Sequence, residues 1–288
     1  MILVTGATGT IGRALMNELR AARVPRRAMV RDVGKAKSLL GGDEDLVQGD
    51  FSDAASLAAA VDGVDAVFLV TAAGPALAEH DLAMVRAVQG TRVKKLVKLS
   101  SFGVDTPGLN ALKSSEWHRP GEQAVMQSGL AWTVLRPGAF ASNALGWAPQ
   151  IRASAPIQVA TGEGKHAVID PRDIAAVAVR ALTESAHDGK AYSLSGPEAL
   201  STPRQVAILG EVLGLPIAIE DVSPQVAADR LRAAGVPEAY AAAVFEGYTW
   251  WREGKVASRS DDVAHVLGRE PRSFEAWARD HAAAFRSD

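Results

Sequence analysis

The sequence predicts an α/β protein, a doubly wound parallel sheet followed by a smaller, mostly helical C-terminal lobe. Three observations predict it. Short apolar runs alternate with helical or loop segments through the first half, the pattern of parallel strands and their crossovers. A glycine-rich turn separates the first apolar run from the first amphipathic stretch. After about residue 150 the alternation gives way to scattered prolines and glycines and then to an alanine-rich helical tail.

Met1 to Val4 are apolar and break at Thr5-Gly6, after which Ile11, Leu15 and Leu19 recur at helical spacing, so strand, turn and helix follow in order. Ala28–Val30, Leu46-Val47 and Ala66–Val70 are further strand-like runs, with Ala55–Val61 as a helical spacer. Leu82, Val85 and Val88 share one helical face within 79–88, and Lys95–Leu99 follows as a strand. A helix over 115–127 leads to a strand over Ala131–Leu135 that stops at Arg136-Pro137-Gly138. Beyond it, Ile174–Leu182 and Pro203–Leu213 read as helices and Ala191–Leu194 as a strand, with Gly214 and Pro216 closing the second helix. The chain past Ser223 is helical and contains Trp250, Trp251 and Trp277.

The most informative motif is Thr5-Gly6-Ala7-Thr8-Gly9-Thr10-Ile11-Gly12. Glycine is required where the backbone takes positive φ or closely approaches a ligand, and a helix N-terminus offers free N–H groups and a positive dipole end to a pyrophosphate. Between a strand and a helix, Gly6, Thr8, Gly9, Thr10, Ile11 and Gly12 therefore predict a Rossmann-type dinucleotide site, with Gly12 allowing the helix to pack on the sheet. Arg31, at the end of the second strand, would pair with the 2′-phosphate of NADP(H). Its neighbour Asp32, twenty residues after Gly12, would instead accept from the ribose hydroxyls of NAD(H). NADP(H) is favoured and NAD(H) is the alternative. Asp50 and Phe51 fall after the third strand, where they would meet the adenine ring. Thr71, Ala72 and Ala73 fall after the fourth, leaving room for the nicotinamide ribose. The expected division is a cofactor-binding core over residues 1–150 and a substrate lobe over 151–288 with segments that return to the core.

Composition narrows the function. The 288 residues carry 31 basic and 33 acidic side chains, a net charge of −2, which leaves no basic field for nucleic acid or anionic membrane. Cysteine is absent, so thiolate catalysis, zinc–thiolate sites and disulfides are excluded. No signal-peptide pattern opens the chain and no apolar run nears the roughly 20 residues that span a bilayer. A cytoplasmic location is the expectation.

These motifs, together with Val30-Arg31-Asp32, Gly49-Asp50-Phe51, Leu99-Ser100-Ser101, His118-Arg119-Pro120-Gly121-Glu122, Leu135-Arg136-Pro137-Gly138-Ala139-Phe140, Asp170–Ala175 and Tyr192–Pro197, extend over most of the chain. In them the sequence resembles the NmrA-like atypical short-chain dehydrogenase/reductases, a group that includes quinone-reductase-like, triphenylmethane-reductase-like and isoflavone-reductase-like proteins. The resemblance implies hydride transfer from a nicotinamide. It also aligns Ser114 with the tyrosine acid that such reductases commonly use, and His118 with the lysine four residues later. None of Tyr192, Tyr240 and Tyr248 falls in that segment.

His118 then becomes the candidate acid or ribose-binding group, since an imidazole with an ordinary pKa near 6.5 suits proton transfer at neutral pH. Ser100 and Ser101 are candidates to hold a substrate oxygen. His118 and Glu122 lack a third ligand nearby, so no metal is expected. Phe140, Asn143 and Trp147 would lie over the nicotinamide if the resemblance holds, and they suit a small aromatic substrate. The leading expectation is an NAD(P)H-dependent oxidoreductase of quinone-like or polycyclic aromatic compounds. Two alternatives stand beside it. One is a non-catalytic NAD(P) redox sensor that binds a protein partner, and the other is nicotinamide-dependent oxygenation or other tailoring of an aromatic metabolite.

Overall fold

A computed structural model describes residues 1–41, 43–256 and 259–286. Its strands are β1 (Ile2–Val4), β2 (Arg26–Val30), β3 (Asp45–Gln48), β4 (Ala66–Leu69), β5 (Lys95–Leu99), β6 (Ala131–Pro137), β7 (Ile157–Val159), β8 (Lys165–His166), β9 (Lys190–Leu194), β10 (Leu200–Ser201) and β11 (Ile219–Asp221). The α-helices are α1 (Thr10–Ala21), α2 (Val33–Leu40), α3 (Ala54–Val61), α4 (Leu77–Ala87), α5 (Lys113–Met126), α6 (Ala148–Arg152), α7 (Pro171–Thr183), α8 (Thr202–Leu213), α9 (Pro224–Ala233), α10 (Glu238–Arg252), α11 (Asp262–Leu267) and α12 (Phe274–Asp280).

Seven strands form one parallel sheet in the order β3-β2-β1-β4-β5-β6-β9, a Rossmann-like α/β fold. The order reverses beside β1, where Val4 sits level with Ala28 on one side and Phe68 on the other. Ligands of open α/β sheets bind in the crevice at that reversal, outside the carboxyl ends of the strands. Both faces are buried, so each strand feeds two cores. Ile2, Val4 and Phe68 join Ile11, Leu15, Leu19, Ile174 and Val177 of α1 and α7, whereas Leu3, Val67 and Leu69 join Leu57, Met84, Val85 and Val125 of α3, α4 and α5. This is why the strands read as continuous apolar runs.

Several helices begin on side-chain caps: Asp32 accepts from Lys35 N at α2, Asp53 from Ala55 N at α3, Asp170 from Arg172 N at α7 and Ser223 from Val226 N at α9. The expected helix over 115–127 starts two residues earlier and keeps Pro120 inside it. In the second half, β9 completes the sheet beside β6 and α7 packs on α1. A separate apolar cluster holds Ile157, Val159, Leu209, Phe274, Trp277 and Phe285. Two small pairs accompany it, β7 with β11 in parallel and β8 with β10 antiparallel, and neither is signalled by the sequence pattern. No helix among the described residues is long and apolar enough to cross a membrane.

Candidate active site

The glycine turn has the geometry a dinucleotide needs. Gly6 adopts φ +58°, and a Cβ there would press on Val70 at 3.1 Å. A Cβ on Gly12 would lie 2.1 Å from the Gly6 carbonyl oxygen, so only glycine lets α1 fold back against the turn. The cap of α1 is Gly9, which has no side chain to occupy the first-turn N–H groups. Those donors stay available to a pyrophosphate. Ile11 is buried in the core, so only its backbone can take part, while Thr10 is exposed as the first helical residue.

Gly6, Thr8, Arg31, Asp50, Phe51, Ala72 and His80 line a groove of about 200 Å³ beside this turn. The Phe51 ring stacks on His80 with centroids 5.4 Å apart and planes 16° apart, forming a flat wall. Asp50 Oδ1 accepts from Ser52 N at 2.8 Å and Ser52 Oγ at 2.6 Å, which holds the carboxyl below its ordinary value, with Arg31 adding to the effect. The Asp32 carboxylate is committed to capping α2 through Lys35 N at 2.9 Å. Arg31 is exposed on the groove and makes no ion pair among the described residues. Of the small residues expected to leave room for the nicotinamide ribose, Ala72 lines the groove, and the Thr71 side chain is engaged elsewhere. Its hydroxyl donates to Asp81 Oδ1 at 3.0 Å, because Asp81 is fully buried and needs donors.

Past Ala73, a cleft of about 440 Å³ opens over the ends of β4, β5 and β6. Ser100, Ser101, Ser114 and His118 form one wall. His118 and both candidate serines thus line the same cleft. His118 Nδ1 is buried without a hydrogen-bond partner, and desolvation together with the nearby Lys98 ammonium lowers its pKa to about 3. The imidazole is neutral at pH 7 rather than poised to titrate there, so it can donate from Nε2–H but does not act as an imidazolium acid. The Ser100 hydroxyl donates to Glu122 Oε1. Its proton is thus spent, and it meets a ligand as an acceptor.

Two buried networks fix these strand ends. Glu122 receives Arg136 in bidentate fashion, Nε at 3.0 Å and Nη2 at 2.7 Å, while Arg136 Nη1 reaches Asp105 at 3.0 Å. Lys98 donates to Asp81, both side chains being wholly buried. Burial raises the Asp81 carboxyl, and the Lys98 ammonium opposes that shift.

The opposite wall comes from later segments: His166 of β8 and Tyr240, Tyr248 and Trp251 of α10. Trp251 Nε1 donates to the Gly164 carbonyl at 2.9 Å, and its ring lies 4.8 Å from that of His166. The His166 pKa falls to about 4 through desolvation. Burial, then Tyr240 beside it, raises the Tyr248 hydroxyl. A second cavity of about 540 Å³ adjoins the cleft and shares Ala139, Phe140, Asn143, Val244, Tyr248 and Trp251 with it. Of the three residues expected over the nicotinamide, Phe140 and Asn143 line both the cleft and the second cavity, and Trp147 lines the second cavity. Trp250 packs against Leu109, Leu112 and Val256 instead. Sequence reasoning overlooked His80, His166, Tyr240 and Tyr248. For the aromatic residues of α10, the adjacent tryptophans were the only signal. Among the described residues no group of three or more His, Asp or Glu side chains forms a metal cage.

Residues 6–185 match the family model described as NAD(P)H-binding. The chain belongs to that family. Its membership of the NmrA-like atypical short-chain dehydrogenase/reductases follows from the same relatives. It is 40% identical to the (4-alkanoyl-5-oxo-2,5-dihydrofuran-3-yl)methyl phosphate reductase of Streptomyces griseus, over 99% of both chains. It is 38% identical to the NAD(P)H azoreductase of Xenophilus azovorans, again over 99% of both. An NADPH-dependent quinone oxidoreductase of Escherichia coli, solved in complex with NADPH, superposes with a TM-score of 0.84 at 27% identity, covering 98% of this chain and 100% of that one. These relatives are named reductases and oxidoreductases, which supports an NAD(P)H oxidoreductase, and the glycine cradle described above fits such a cofactor.

Proposed function

We propose that this NmrA-like protein transfers a hydride from NADP(H) to a small, electron-poor conjugated acceptor of the quinone-like or polycyclic aromatic class. The observation that carries the reading is the cleft itself. It abuts the dinucleotide groove at Ala72-Ala73, is walled by Phe140, Tyr248 and Trp251, and has no carboxylate among its described lining residues. Such a site desolvates a flat π-system without placing negative charge against it. The named substrates of the relatives support this. A quinone, an azo compound and an alkanoyl dihydrofuranone are chemically different, yet each presents a double bond conjugated to electron-withdrawing groups.

When bound, a reduced nicotinamide supplies the hydride. Gly6, Gly9 and Gly12 would hold its pyrophosphate, Arg31 the 2′-phosphate, and Phe51 with His80 the adenine. The preference for NADP(H) over NAD(H) rests on Asp32 being engaged as a helix cap while Arg31 remains free. Neutral His118 would donate a hydrogen bond from Nε2–H to a ribose or substrate oxygen. The sequence has Ser114 where the resemblance aligns the usual tyrosine acid, and Tyr248, which lines the cleft, would supply a proton to the reduced acceptor in its place.

The test is NADPH oxidation, followed by its near-ultraviolet absorbance, against a quinone, an azo dye, an aromatic polyketide and an acyl butenolide. Turnover of at least one is expected, and failure of all of them would remove the reading. For Arg31→Ala, NADPH affinity should fall about tenfold or more while NADH affinity holds. An unchanged preference would assign cofactor choice to other residues.

A further inference from the structure

The second cavity is not needed to hold a nicotinamide or a single flat ring, yet it opens from the cleft through a shared wall of Phe140, Asn143, Tyr248 and Trp251. Its lining is largely apolar, with Trp147, Ile157, Val159 and Leu231 among the contributors. One charged side chain lines it among the described residues, Arg230 of α9. The arginines around it are spoken for: Arg232 is paired with Asp229 and Glu238, and Arg252 with Asp221. Arg230 has no ion pair and no side-chain hydrogen bond among the described residues, and no carboxylate lines the cavity to neutralise it. Thr161 and Thr202 also face the cavity with their hydroxyls hydrogen-bonded to each other at 2.8 Å, which leaves one of the two protons to donate elsewhere. The Gln150 Oε1 in the same lining is buried without a partner.

A guanidinium without a counter-ion, lining the same cavity as two threonine hydroxyls and a largely apolar wall, can receive an oxyanion. We infer that Arg230 anchors an anionic tail, a phosphate monoester or a carboxylate, on the same molecule whose electron-poor head lies in the cleft by His118. The preferred acceptor is then an extended amphiphile, with a conjugated head, an apolar middle and an anionic end, rather than a bare quinone. This rests on the reductase reading for the role of the head. It gains support from the relative at 40% identity, whose named substrate carries a methyl phosphate.

Three butenolide acceptors test it, identical except for a methyl phosphate, a carboxymethyl or a hydroxymethyl substituent. Each is titrated by calorimetry into the NADP⁺-loaded protein and assayed as an NADPH-dependent substrate. In the native chain both anionic probes should bind about tenfold or more tighter than the neutral one. Arg230→Ala should erase that difference, raising KM for the anions with kcat and the neutral probe unchanged, and Arg230→Lys should restore part of it. A larger gain for the phosphate or for the carboxylate identifies which oxyanion the site takes. Equal affinities for all three probes in the native chain, or equal weakening of all three by Arg230→Ala, would overturn the inference. If none of the probes is reduced, the reductase reading fails for this acceptor class, while the calorimetric contrast still decides the role of Arg230.

Discussion

The two cleft histidines make the fold acid-sensitive in a pH range where carboxylates are still ionised. His118 is held at about 3 and His166 at about 4, against an ordinary 6.5, because both imidazoles are desolvated, the Lys98 ammonium adding to the effect at His118. In the unfolded chain both titrate normally. Between the folded values and 6.5 the unfolded chain therefore binds more protons than the folded one, so stability falls as pH drops through 6.5 and levels off only near the folded values. At about 1.4 kcal/mol per pH unit, moving from about pH 7 to about pH 5 costs roughly 2 kcal/mol for each imidazole. Together that is about 4 kcal/mol, a large share of the 5–15 kcal/mol typical of a folded protein. Urea unfolding at the two pH values measures it. The double variant His118→Phe/His166→Phe keeps the ring volume and sacrifices no Nδ1 hydrogen bond, so its unfolding midpoint should change little over the same interval. A native midpoint that does not move, or a double variant that loses as much as the native chain, would refute the reasoning.

Three further substitutions probe the site and its supports. Gly12→Ala forces a methyl group onto the Gly6 carbonyl, so NADPH binding, read by nucleotide fluorescence, should be lost and stability should drop by about 1–3 kcal/mol. Asp81→Ala leaves the Lys98 ammonium buried and unpaired, at a cost of about 3–5 kcal/mol in denaturant unfolding, and Asp81→Ala/Lys98→Met should recover most of it. Tyr248→Phe should lower kcat by about 10²-fold or more and leave the NADPH dissociation constant unchanged if its hydroxyl returns the proton. An unaltered kcat would leave that proton to solvent.

What could be read in the sequence was set by local chemistry. The turn at Gly6 and the helix behind it were legible because positive φ and the Gly12 contact leave no other residue type, and β4 because a strand buried on both faces must be apolar throughout. The sequence favours Arg31 over Asp32 without a local reason to exclude either, since both stand at the strand end. What the structure adds is that α2 begins at Val33, which turns Asp32 into its cap. The two-residue strands β8 and β10 carry no periodicity and exist through each other. His166, Tyr248 and Trp251 lie far along the chain from Ser100 and His118, and only the packing of α10 over β8 brings them into one cleft. The protonation state of His118 depends first on its burial and then on a lysine twenty residues earlier on a different element, where sequence supplies only the reference value.

The same packing explains why so many charges are buried under an uncharged cleft. Isolated ion pairs in a core contribute little net stability, because desolvation offsets the attraction. Here each pair ties together elements that carry cleft residues. Lys98 on β5 and Asp81 on α4 hold Thr71, at the head of the Ala72-Ala73 loop. Arg136 on β6 and Glu122 on α5 hold Ser100 at the end of β5, and Glu122 lies one helical turn beyond His118. Gly121, where a Cβ would fall 2.0 Å from the Asp81 carboxylate, brings α4 and α5 close enough for the two networks to stand side by side. The charges are thereby withdrawn from the cleft while fixing its wall, so that among the described residues the cleft lining carries no carboxylate and the adjoining cavity carries one charged side chain, that of Arg230.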